Sequence, residues 1–194
     1  MKILMRTLSV VAMIAIIATA SAPQAQAKKK KNHKKQAIEN LLFEGNKKLE
    51  FGDYEEAVRI YEMVDKKGEV KGTHNLALCY QDGMGVQQDY FMAFKLFEKA
   101  AKKGYRDSQE ALGTMYKNGY GCKKDYKKAI KWLEKAANQG SSDAMYLLAS
   151  CYYYGHEESG VKIDMKKARE WMIRSAELGN ETARDNLPKL FPMY

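Results

Sequence analysis

One stretch of this chain is written more than once. Gly83 to Gly104, GMGVQQDYFMAFKLFEKAAKKG, returns 36 residues later as Gly119 to Gly140, GYGCKKDYKKAIKWLEKAANQG. A third copy follows at an interval of 39, pairing Asp125 with Asp164, Ala129 with Ala168, Trp132 with Trp171 and Gly140 with Gly179. The extra residues fall in GHEESG, Gly155 to Gly160, which marks a surface loop, where added length costs little. A fixed period in this range requires an array of stacked supersecondary units, each burying its apolar side against the next.

Each unit reads as two helices. The first carries NLALCYQDG from Asn75, EALGTMYKNG from Glu110 or YLLASCYYYG from Tyr146. Leu76, Leu112 and Leu148 match, as do Tyr80, Tyr116 and Tyr152; residues four apart share a helical face. Ala77, Gly113 and Ala149 lie between them and leave room for a neighbouring helix. The GxG that follows supplies a tight turn and no phosphate loop, since no strand precedes it and no Gly-Lys-Ser/Thr follows. Asp89, Asp125 and Asp164 then suit the N-cap of the second helix. Its expected core residues are Ala93, Leu96, Phe97 and Ala100, then Ala129, Trp132, Leu133 and Ala136, then Ala168, Trp171, Met172 and Ser175. Gly104, Gly140 and Gly179 close each second helix, and Asp107, Asp143 and Thr182 are expected to cap the next unit. An earlier, blurred copy keeps Gly45, GDYEEA from Gly52, Tyr61 and Gly68, with Asp53 and Glu56 as a capping-box pair. A final restart reaches Leu187 and meets Pro188, where a helix cannot continue normally.

The letters LG…Y…G.G…D..KA..W..KAA..G, kept almost whole from Leu112 to Gly140, resemble the Sel1-like repeat, a subfamily of the tetratricopeptide solenoids. The resemblance extends from Leu76 to Gly104 and from Leu148 to Gly179, while the first copy looks more like a plain tetratricopeptide repeat. It implies an all-α, right-handed α-solenoid. The expected repeats span about 36–70, 72–106, 108–142 and 144–181, with a half-repeat at 182–194. It also implies a scaffold or adaptor that binds protein or peptide segments.

Ahead of the array lie two other segments. Lys2 and Arg6 precede an apolar run, Leu8 to Ala20, and AQA, Ala25 to Ala27. This is a signal-peptide pattern with cleavage expected after Ala27; an uncleaved membrane anchor is the alternative. The signal architecture and repeat style point to an exported bacterial chain, periplasmic or secreted. KKKKNHKK follows at once, although lysines behind an apolar segment resist translocation. The net charge is +9, but two basic residues lie within 1–27 and six within 28–35, which leaves the body from Gln36 at +1. The basic character is therefore expected of a tail, Lys28 to Lys35, disordered by like-charge repulsion. That tail is either a solvated spacer or a contact for an anionic surface.

Few residues invite chemistry. Cys79, Cys122 and Cys151 read as free thiols, because equivalent positions two repeats apart exceed disulfide reach; their odd number leaves an intermolecular bridge open. Some exported members of the resembled family staple each helix pair with cysteines, a pairing missing here. His156-Glu157-Glu158 forms no defined metal set, and no catalytic constellation or cofactor motif is present. Some relatives are linked to cell-wall or β-lactam chemistry, so a hydrolase is the remote alternative. A secreted or surface protein held by its basic tail is another.

The expected binding face is the concave side, lined by the first helices. Its candidates are His74, Leu78, Gln81 and Asp82; Glu110, Thr114, Lys117 and Asn118; and Tyr146, Ser150, Tyr153 and Tyr154. Tyr152 belongs to the core, which leaves Tyr153 and Tyr154 surplus. They form either a recognition hot spot or a seat for the C-terminal segment LFPMY from Leu190.

Overall fold

The computed structural model describes the backbone of residues 2–192 and the side chains of residues 26–192. The apolar run Leu8 to Ala20, and Met193 and Tyr194 of the C-terminal segment, have side chains outside the described residues. The elements are α1 (Lys2–Glu50), α2 (Tyr54–Lys66), α3 (Val70–Asp82), α4 (Tyr90–Lys102), α5 (Arg106–Asn118), α6 (Tyr126–Asn138), α7 (Ser142–Tyr154), α8 (Met165–Glu177) and α9 (Glu181–Leu190). The end of α1 pairs with α2, α3 with α4, α5 with α6 and α7 with α8; each pair packs on the next and α9 closes the stack on α8. The result is the expected right-handed α-solenoid, with no strand among the described residues.

The repeated letters do what their spacing requires. Leu112, Leu148, Ala93, Ala129, Ala168, Phe97 and Leu133 are fully buried. The core runs as overlapping clusters, Phe97, Leu112 and Ala129 joining three helices and Leu133, Ala144 and Leu148 joining the next. All residues of these clusters lie at Leu42 or later. The side chains from Gln26 to Ala37 are exposed, so among the described residues none before Ile38 packs against the array. A Cβ at Gly113 would stand 2.7 Å from Leu133 Cγ, and one at Gly45 2.7 Å from Tyr61 Cε1.

Capping follows the sequence in part. Asp89 accepts from the Phe91 and Met92 amides, Asp125 from Lys128 N and Asp164 from Lys167 N. The expected caps Asp107, Asp143 and Thr182 lie inside the first turn instead, and the N-caps are Tyr105, Ser141 and Asn180. The cause is the way each second helix ends. The amides of Tyr105, Ser141 and Asn180 bond back to the carbonyls of Ala100, Ala136 and Ser175 at 3.2, 3.1 and 3.1 Å, so the residue completing the closure also opens the next helix. Asp53 holds the N-cap position of α2 but its side chain makes no capping bond; its carboxylate accepts from Lys48 Nζ at 2.9 Å. Helix α9 runs two residues past Pro188, ending at Leu190.

Two expectations change. The Lys28–Lys35 segment, read as disordered, is helical and continuous with α1. From Gln24 to Glu44 the chain has no Gly or Pro and is rich in Ala, Lys, Gln and Leu, so helix propagates outward from the packed end. Nor is the positive charge confined to that segment. Helices α4, α6 and α8 together carry eleven basic and four acidic residues, whereas α3, α5 and α7 carry three basic and four acidic. The body's small net charge is a sum over segregated faces.

The GxG glycines hold the repeats in register. Gly121 has φ +65°, and a Cβ there would meet the Tyr90 carbonyl of the preceding unit; at Gly140, φ +86°, nothing lies within 4 Å. Gly121→Ala should therefore combine left-handed strain with a backbone clash and cost roughly 3 kcal/mol or more. Gly140→Ala should cost only about 1–2 kcal/mol. Urea unfolding midpoints measure the difference; equal shifts would refute the clash.

Candidate functional site

The twelve first-helix candidates divide by environment. His74 is half-buried, with Nδ1 2.9 Å from Ser108 Oγ and its ring 5.4 Å from Phe97 and 5.1 Å from Tyr105. Burial holds its pKa below the usual histidine value. It joins two units. Leu78 packs at the edge of the Phe97–Leu112 cluster. The Gln81 side chain donates to Asp82 Oδ1 at 3.3 Å, and the Gln81 backbone carbonyl accepts from Gln88 Nε2 at 2.8 Å. Thr114, Lys117 and Ser150 are half-buried, while Asp82 and Asn118 are exposed.

Glu110 accepts a hydrogen bond from Ser141 Oγ, which also caps α7. Burial raises its carboxyl pKa above the usual range against that bond, and Asp143 and Asp107 add to the rise.

The tyrosines resolve into different roles. Tyr146 OH accepts from Asn186 Nδ2 of α9 at 3.3 Å, and Tyr146, Leu187, Leu190 and Phe191 all pack on the cluster of Ala149, Met172 and Ala183. Tyr153 stands edge-on to Phe191, centroids 5.7 Å apart. The C-terminal segment thus covers these two. Tyr154 stays 65% exposed, 4.9 Å from the Tyr153 ring. Beyond it lies a depression of about 570 Å³ lined by Tyr154, Gly155, Val161 and Ile163, with Ile163 62% exposed. The sequence reading missed Ile163. Its signal was there: Ile163 stands where the other copies have Gln88 and Lys124, directly after the insertion.

The remaining chemistry is structural. His74 and Ser108 have the look of a base and nucleophile, but Ser108 is completely buried, so no substrate reaches its Oγ. His156 lies flat on Tyr126, ring centroids 3.2 Å apart. Its pKa is lowered by burial and by Lys117 and Lys124, a setting that disfavours a cation. Cys79, Cys122 and Cys151 are free, and burial pushes the Cys79 and Cys151 thiols up to about 11.

The family model described as Sel1 repeat matches residues 70–105, 106–141 and 142–180. Those boundaries begin where α3, α5 and α7 begin, up to two residues earlier than the spacing alone implied. The chain is similar to a protective antigen of uropathogenic Escherichia coli strains that displays an SLR fold, at 31% identity and TM-score 0.74. The match covers 79% of this chain and 33% of that one. A Sel1 repeat protein from Oxalobacter formigenes is similar at 34% identity and TM-score 0.66, covering 71% of this chain and 55% of the other. A Klebsiella pneumoniae Sel1 repeat protein shares the fold at 21% identity and TM-score 0.51, over 77% and 76% of the two chains. The chain thus spans a third and about half the length of the first two. No curated protein is significantly similar to it in sequence.

The raised Glu110 pKa has a definite sign. The folded state favours the protonated carboxyl, so this stabilisation is complete below the unfolded carboxylate range and is lost as pH rises through the folded value. Glu110→Gln should raise the melting temperature by a few degrees at neutral pH, and the gain should vanish as pH falls below about 4. A gain that persists in acid would show that burial of the charge is not the cause.

Proposed function

This chain belongs to the Sel1 repeat family, and on that footing we propose that it is an exported envelope adaptor holding an extended protein or peptide segment along its first-helix face. The fold is typically a non-enzymatic protein-interaction scaffold. The observation that carries the specific reading is the pair of uncovered anchors at the C-terminal end, Tyr154 at 65% and Ile163 at 62% exposure, around an apolar depression. Large apolar side chains left in solvent beside a concavity are where binding energy concentrates. The exposed Asp82 and Asn118 extend the path toward earlier repeats.

Export rests on the N-terminal pattern: Lys2, Arg6, the Leu8 to Ala20 run and Ala25-Gln26-Ala27. The similar E. coli protein is a protective antigen, which supports work outside the cytoplasm. A second reading, tethering to an anionic surface, draws on the exposed lysines of α1 from Lys28 to Lys35.

Affinity capture from the envelope fraction, followed by titration of the purified partner, tests the adaptor. Tyr154→Ala should weaken binding about 30-fold, as loss of a hot spot of about 2 kcal/mol does, and Ile163→Ala should weaken it less. A partner held equally by wild type and both variants would move the site elsewhere. N-terminal sequencing of the exported chain should begin at Lys28; a chain retained in the membrane with Met1 or its first residues intact would favour the anchor.

A further inference from the structure

The GxG turns and the N-termini of the second helices form one continuous edge. Gly85 lies against the Tyr54 backbone and Gly121 against the Tyr90 and Phe91 backbone of the preceding unit. The Tyr120 ring stacks on Tyr90 at 5.1 Å and the His156 ring on Tyr126 at 3.2 Å. Corresponding positions in successive repeats are thus brought into a line.

That line carries two kinds of side chain. Lys123, Lys124, Lys127, Lys162 and Lys166 are exposed, and among the described residues none has a carboxylate within 4 Å. Lys128 and Lys167 are paired with the capping Asp125 and Asp164 at 3.5 and 3.6 Å. Glu157 and Glu158 share the depressions lined by Lys123, Lys124 and Lys127, and Glu55 stands exposed at the α2 end of the line, so the five exposed lysines still outnumber the free acids there. Between them stand Phe91, Tyr120, Ile163 and Met165, exposed at 55, 46, 62 and 46%.

We propose that this edge docks the solenoid on an anionic phospholipid bilayer. Lysines pair with lipid phosphates while short apolar side chains enter the headgroup boundary. Phe91 and Tyr120 suit either a headgroup boundary or a stacked base, whereas the aliphatic Ile163 and Met165 suit acyl chains and have no use in base stacking. An edge that runs across successive units also suits an extended surface better than a compact ligand. Docking this way occupies Ile163, which the peptide reading also uses, but leaves Tyr154 and the rest of the first-helix face free, and it stands whether or not that face holds a peptide.

The chain from Gln36 onward keeps the whole described core and lacks the Lys28–Lys35 segment, so it isolates the edge. Its partitioning is measured on phosphatidylcholine vesicles with and without phosphatidylglycerol. Binding should require phosphatidylglycerol and weaken with salt. Lys123→Gln/Lys124→Gln/Lys127→Gln should lower partitioning roughly a hundredfold, and Phe91→Ser/Met165→Ser several-fold. These sites are exposed, so helical content and melting should be unchanged. Equal partitioning by wild type and the lysine variant, binding to pure phosphatidylcholine, or no binding to either vesicle would overturn the proposal. So would tighter binding of single-stranded RNA lost in the same variant.

Discussion

The array depends on how closely one helical hairpin can approach the next. Small residues set that distance at two levels. Within a unit, Gly113 leaves space that Leu133 fills, a Cβ there falling 2.7 Å from its Cγ. Between units, Gly85 and Gly121 let each turn rest on the backbone at Tyr54 and Tyr90 of its predecessor. Backbone against backbone has no rotamer to relax, so these contacts fix the stacking distance with little give. The continuous clusters from Leu42 to Phe191 follow from that spacing.

Features that repeat were legible in the sequence, because repetition is the constraint made visible. Leu76, Leu112 and Leu148, the capping Asp89, Asp125 and Asp164, and the closing glycines at 104, 140 and 179 fall where their period puts them. The missed helix starts have a common cause. Tyr105, Ser141 and Asn180 both end one helix and begin another, and cap propensity alone favours the more typical Asp107, Asp143 or Thr182. Charge was misjudged for a different reason. A net sum along the chain is blind to which helices carry which sign, and the excess of basic residues on α4, α6 and α8 appears only once those helices share a side.

The candidate face was legible as a set of positions and not as a set of roles. Periodicity says which first-helix residues are spared from the core of their own unit. It does not say which are taken up by the next. His74 is taken by Ser108 and Tyr105, and Tyr146 and Tyr153 by α9 and Phe191. Tyr154 has no such neighbour because it sits at the end of its helix, beside the insertion. Ile163 belongs to the insertion's far side and could be recognised only by its departure from Gln88 and Lys124.

In a stacked array each unit contacts only its neighbours, so the fold tolerates divergence wherever a side chain faces solvent. Divergence here is concentrated in the third repeat. Its turn is longer, its edge has gained Ile163 and Met165, and Tyr154 remains uncovered. Both the anchor on the first-helix face and the apolar part of the turn edge therefore lie within one loop and its flanks, Tyr154 to Met165. A segment bound at Tyr154 would sit beside any surface touched by Ile163. The physical consequence is coupling by proximity: a partner captured on one face is held next to whatever the edge meets, without any change of shape in the solenoid.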